Sequence, residues 1–283
     1  MDDFRDRLLA FFGQGEKQMV YGPIRRVREN PISVTARLSS PKMEAMVEAE
    51  SLLEYDFCSI LDFDPRVQKY GVQRAVIPWR DELGRKRKYH PDVLVQFNNR
   101  LVDVLSRPLA TDAARFLPTV YEVKPWQTLK ADWRELRPKF EGARAVLSSM
   151  GIRFRVITER QMHPVFLQNV RKLVEVKKQS HPKWTSPADP ETATQIANLV
   201  RAGGRPLTPN LILDQLGLTK ESGWELRMRV IREIWTLVAL CHLDADLIEP
   251  LSMSTPLWPG QLFDDEHRYP TPKWRQPPYD WYR

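Results

Sequence analysis

The stretch PTVYEVKPW, residues 118–126, constrains this chain more than any other. It is apolar and β-branched enough to form a buried strand, and Pro125 stops it. Yet it carries Glu122 and Lys124. Residues two apart on a strand share a face, so these opposite charges project from one side while Val123 faces the other. As an ion pair on an exposed edge they would contribute little. As a metal-ligating carboxylate beside a positioned cation they would need further acids at the same place.

The flanking patterns supply a frame. Apolar residues Met46, Ala49, Leu52, Leu53 and Phe57 recur at helical spacing, which predicts a helix over 42–61 ended by Asp64-Pro65. Residues 67–79 and 86–97 are β-rich around the turn DELG, and read as a hairpin whose second strand is marked by Pro91 as an edge or bulge. After a longer connection over 98–117 comes the Glu122 strand. A helix over 132–151 follows, with Pro138 inside it, then a strand over 152–158 and a helix over 164–178. The order helix–strand–strand–strand–helix–strand predicts an α/β core.

The organisation expected is a basic arm over 1–41, which includes a short amphipathic helix, an α/β core over 42–180, a helical domain over 181–250 and an extended tail over 251–283 rich in Pro, Trp and Tyr. Three helical patterns followed by the strand-like CHLDADL suggest a winged-helix or helix-turn-helix module. The tail aromatics Trp258, Trp274, Tyr279, Trp281 and Tyr282 read either as docking anchors or as a segment folded back on its own core. Cys58 and Cys241 lie far apart among apolar residues and read as core fillers, with no disulfide framework or zinc spacing. No apolar run is long enough to span a membrane, and the start lacks a signal-peptide layout, so a cytoplasmic location is expected.

Among the 283 residues the formal net charge is +7, and the excess is local. Arg25, Arg26 and Arg28 crowd the arm, and Arg85, Lys86, Arg87 and Lys88 follow the glycine turn. Such patches suit a polyphosphate partner, and contacts of this kind position a duplex without reading its sequence.

The acids complete the pattern. Asp92 follows Pro91 on the strand before Glu122, so both carboxylates can face one site. A hard divalent cation takes oxygen ligands, and the Val123 backbone carbonyl is a third candidate. Lys124 would orient or deprotonate a water, or hold a phosphate oxygen. A further acid is expected from the preceding helix, with Glu54 preferred over Glu50. This constellation suits phosphodiester hydrolysis. His90, two residues before Asp92, is either a satisfied strand histidine or an auxiliary group.

The segments ESLLEYDF, LDFDPRVQKYGVQ, YHPDVLV, YEVKPW and GIRFRVITER, with the arginine-rich GPIRRVRENPISVTARL, resemble the TnsA-like endonuclease subunits of heteromeric, Tn7-type transposases. The resemblance implies a restriction-endonuclease-like PD-(D/E)xK core with a C-terminal winged-helix-like domain. It implies Glu54, Asp92, Glu122 and Lys124 as catalytic residues, Mg²⁺ as cofactor with Mn²⁺ as a substitute, and Gln73 at the glutamine closing the family's first strand. It further implies double-stranded DNA at transposon ends as substrate, a DDE-type transposase subunit as partner, and an AAA+ ATPase regulator bound through the C-terminal region, in a bacterial, nucleoid-associated setting. A restriction or repair nuclease of the same core, and a non-catalytic winged-helix regulator, are the rival readings.

Overall fold

The computed structural model describes residues 8, 11–12, 36–43, 46–73, 75–98, 117–180, 186–219, 221–260 and 272–275. They fall into two compact units, one of Met1–Leu61, Arg66–Val102 and Pro108–Gln161, the other of Asp62–Pro65, Asp103–Arg107 and Met162–Arg283. The expected basic arm lies almost wholly outside the described residues.

In the first unit, β1 (Ala36–Leu38) and β2 (Val47–Ala49) form an antiparallel pair ahead of helix α1 (Leu52–Phe63). Strands β3 (Val67–Val72), β6 (Val93–Phe97), β7 (Thr119–Val123) and β8 (Arg153–Ile157) make a four-stranded sheet in the order β3-β6-β7-β8. The first two pairings are antiparallel and β7–β8 is parallel. A parallel pair needs a crossover, here α2 (Trp126–Ala131) and α3 (Trp133–Ser148).

Two expectations are corrected. The helix expected from residue 42 begins only at Leu52, because residues 47–49 pair as a strand. Met46 and Leu52 are largely exposed, and the buried face of α1 is Phe57, Cys58, Ile60 and Leu61. The long hairpin also divides. Gln73 has a positive φ of 51°, which swings the chain out of β3, and Pro91 breaks the return strand. The outer halves, β4 (Ile77–Arg80) and β5 (Lys86–Tyr89), pair as a separate ribbon. The Gln73 N–H donates to the Asp92 carbonyl at 2.7 Å, which fixes the point where ribbon and sheet part.

One sheet face packs Leu94, Val120 and Phe154 against Phe140, Ala143 and Leu147 of α3, with Tyr89 and Ile77 of the ribbon joining the same core. Gly142 permits the approach of α3 to the ribbon, since a Cβ there would come within 2.5 Å of the Trp79 ring. On the other face Phe57 of α1 meets Tyr121, with ring centroids 5.0 Å apart.

The second unit packs α4 (Pro164–Ser180) against α7 (Trp224–Ala239), with α5 (Pro190–Ala202) and α6 (Pro209–Gln215) alongside. Asp189 and Thr208 cap α5 and α6, each with proline in the first turn. The short strands β9 (Leu243–Asp244) and β10 (Trp258–Pro259) pair antiparallel. Helix α4, expected to close the nuclease core, therefore groups with the C-terminal helices, and the division falls after Gln161 rather than after residue 180.

The described parts of the expected extended tail are folded. Trp258 and Trp274 are buried, Trp274 stacks on Phe166 with centroids 5.5 Å apart, and Arg275 pairs with Asp244 at 3.0 Å with both side chains enclosed. These two tryptophans are not exposed anchors; Tyr279, Trp281 and Tyr282 lie outside the described residues. Cys58 and Cys241 are buried free thiols, as expected. Among the described residues no helix is long and apolar enough to cross a membrane.

Candidate active site

The register of β6 and β7 pairs Val93 with Tyr121 and Leu94 with Val120. Alternation along each strand then puts Asp92 and Glu122 toward one face, the face that α3 covers. Glu122 is 3% exposed on a fully buried strand, an uncommon place for a carboxylate. Its charge is met from three directions. Lys124 Nζ lies 3.3 Å from Oε1, Lys139 Nζ of α3 lies 3.8 Å from the same oxygen, and the Tyr89 hydroxyl donates to Oε2 at 2.5 Å. Glu122 and Lys124 thus share a side, as their spacing requires. The end of β7 is pinned as well: Lys124 N–H donates to Ile157 O, and Trp126 N–H donates to the Glu159 carboxylate at 2.9 Å.

Asp92 Oδ2 accepts the Val123 N–H at 2.7 Å. Its carboxyl is pushed well above the usual range, first by burial and then by the negative charges of Glu122 and Glu54, while the Val123 N–H and Lys124 pull the other way. Glu54, 7% exposed, sits in the first turn of α1. Its carboxylate accepts from Ser51 Oγ and from the Glu50 N–H, both at 3.1 Å, and Ser51 Oγ accepts the Glu54 N–H in return. This is a reciprocal helix cap. Burial raises the Glu54 carboxyl, the two cap hydrogen bonds oppose that, and the charges of Glu50 and Glu122 add to it.

The three acids therefore reach one another electrostatically. They do not form a ligand cluster: among the described residues no group of three or more His, Cys, Asp or Glu side chains is gathered so as to hold a metal ion. Each carboxylate is instead taken up by protein donors. The donor chemistry fits a hard cation nonetheless. The set is all oxygen, and burial first and mutual repulsion second raise Asp92 and Glu54, a cost that a dication relieves.

The remaining residues named from sequence sort as follows. Glu50 stands before the helix and lends its N–H to Glu54, so the two do not share a helical face. Gln73 acts at the strand break through its backbone. His90 is exposed beside Asp92. The run at 85–88 divides by strand alternation. Arg85 and Arg87 both pair with Asp81, at 2.9 and 3.1 Å, and Lys86 and Lys88 are exposed on the opposite face. Asp81 is lowered to about 2: desolvation opposes this, but hydrogen bonds from the Arg85 backbone and from both guanidinium groups outweigh it. Arg25, Arg26 and Arg28 lie outside the described residues. Sequence reasoning missed Tyr89, Lys139 and the capping role of Ser51; only the last had a local signal, serine three residues before glutamate at a helix start.

Residues 64–159 match the family model described as "TnsA-like endonuclease N terminal". No curated protein matches the chain.

Proposed function

Residues 64–159 belong to the TnsA-like endonuclease N-terminal family, and from that premise we propose that the chain is the metal-dependent endonuclease subunit of a transposase, cutting the 5′ ends of a transposon during cut-and-paste transposition. The observation that carries the reading is the convergence of Asp92, Glu122 and Lys124 on two neighbouring strands inside the matched segment.

In this reading Asp92 and Glu122 hold Mg²⁺ or Mn²⁺, with Glu54 and the Val123 carbonyl as further oxygen donors. The bound ion would supply Lewis acidity toward the scissile phosphate and toward a water molecule. The chain's own groups do the rest. Lys124 stands beside Glu122 to orient the attacking water or to hold a phosphate oxygen. Lys86 and Lys88, on the exposed face of the ribbon leading to Asp92, grip the flanking phosphates, with Arg85 and Arg87 behind them and the arginines of the arm as a second clamp. Such contacts set register on the duplex and leave sequence choice to the partner transposase. The C-terminal unit serves as a winged-helix-like docking module for an AAA+ regulator.

The test is cleavage of a labelled transposon end by the assembled system of this chain, its DDE-type transposase and its ATPase, with Mg²⁺. Wild type should release the 5′ strand and Asp92→Ala should not. Normal 5′ cleavage by Asp92→Ala would remove the assignment.

A further inference from the structure

Glu122 is held by two residues that lie outside the acid–acid–lysine pattern. Tyr89, from β5 of the ribbon, donates its hydroxyl to Oε2, and Lys139, from α3, approaches Oε1. The Tyr89 ring is 2% exposed and is itself fixed, with Phe140 and Phe154 centroids 6.2 and 5.9 Å away. Lys139 Nζ lies 5.0 Å over both the Tyr89 and Phe140 rings. The two donors thus come from separate elements, are locked to each other by a cation–π contact, and take opposite oxygens of one carboxylate. A glutamate side chain has three rotatable bonds. One oxygen bound to a phenol and the other flanked by an ammonium leave its plane little freedom.

We propose that Tyr89 and Lys139 are positioning residues that clamp Glu122 in the orientation in which it takes a divalent cation, and that the ribbon presenting Lys86 and Lys88 to DNA is thereby tied mechanically to the metal carboxylate. The inference rests on the nuclease reading above. Partners of this kind behind a ligating carboxylate typically govern metal affinity by about 10–100-fold.

The experiment is calorimetric titration of the full-length chain with Mn²⁺, comparing wild type, Tyr89→Phe, Lys139→Met and Asp92→Asn, with thermal unfolding as the control for folding. Tyr89→Phe keeps the packed ring and removes only the hydroxyl. Lys139→Met keeps the aliphatic stem at a side chain that is partly exposed. Each should weaken Mn²⁺ binding by roughly tenfold while remaining folded. In the assembled system each should raise the Mg²⁺ concentration needed for half-maximal cleavage more than it lowers the rate at saturation. Wild-type Mn²⁺ affinity in both variants would overturn the clamp and leave the nuclease reading standing. Should Tyr89→Phe fail to fold, wild-type affinity in Lys139→Met overturns it equally. Wild-type protein showing no Mn²⁺ binding that Asp92→Asn abolishes would overturn the nuclease reading itself, and the clamp with it.

Discussion

Replacing Lys124 by methionine separates chemistry from architecture. The Nζ to Oε1 distance of 3.3 Å corresponds to a gross attraction of about 5 kcal/mol at an effective dielectric of about 20. Little of that becomes stability. The Lys124 side chain is one-quarter exposed, so water screens the charge and recovers hydration when the pair is broken. Glu122 is also not stranded by the change, because Lys139 at 3.8 Å and the Tyr89 hydroxyl remain. Methionine keeps most of the stem's packing. The expected cost is therefore about 1 kcal/mol, the upper end for a partly exposed pair, read as a fall in melting temperature of roughly 2–4 °C if the unit melts like an ordinary domain of its size. Strand scission is a different matter. If the ammonium positions the water or holds a phosphate oxygen in the transition state, cleavage in the assembled system should fall about 10²–10⁴-fold, with DNA binding and partner docking near wild type. Two results refute this. Cleavage within a few-fold of wild type would make Lys124 a bystander. Loss of 4 kcal/mol or more, with activity lost in proportion to folded protein, would make it a structural counter-ion for Glu122.

The other expectations concern charge and burial. Asp92 has a raised carboxyl, so metal-free stability is complete below the ordinary aspartate range and is lost as pH rises through the raised value; Asp92→Asn should be the more stable protein at pH 8, with the advantage shrinking toward pH 4 in urea denaturation, while its 5′ cleavage is lost. Arg275 and Asp244 form a buried pair at 3.0 Å, so Arg275→Met should destabilise the second unit by about 3–5 kcal/mol, and the double change Arg275→Met with Asp244→Leu should recover most of that because no lone charge is left enclosed; equal losses in single and double variants would contradict the argument. Lys86→Ala with Lys88→Ala should weaken binding to duplex DNA of any sequence and lower the salt slope by about one for each phosphate contact removed. Alanine at Arg85 and Arg87, which already neutralise one another's partner Asp81, should do less in the same titration.

What could be read from the chain was what alternation encodes. Glu122 and Lys124 share a side because a strand repeats every two residues, and Asp92 meets Glu122 because their strands are adjacent; both follow from local pattern plus one pairing. The strand break at Gln73 was not legible, since a left-handed backbone is advertised by glycine and glutamine gives no such sign. The allegiance of α4 was not legible either. Phe166, Val170, Leu173 and Val174 declare a buried stripe without naming what buries it. Tyr89 and Lys139 are the sharper case. Their neighbours in sequence are ordinary, and their roles arise from contacts across 33 residues in one case and between β7 and α3 in the other. The same contacts explain why the acids are held apart as they are. A buried strand carrying three carboxylates' worth of repulsion nearby must satisfy each one from within the protein: a helix cap for Glu54, a backbone N–H for Asp92, a phenol and two ammonium groups for Glu122. These donors offset the burial and mutual repulsion of the acids. Those that fix a carboxylate in its ligating orientation, Tyr89 and Lys139 on Glu122, set how tightly a dication is held, and the side chains that tune the nuclease reading are as much those around the motif as those within it.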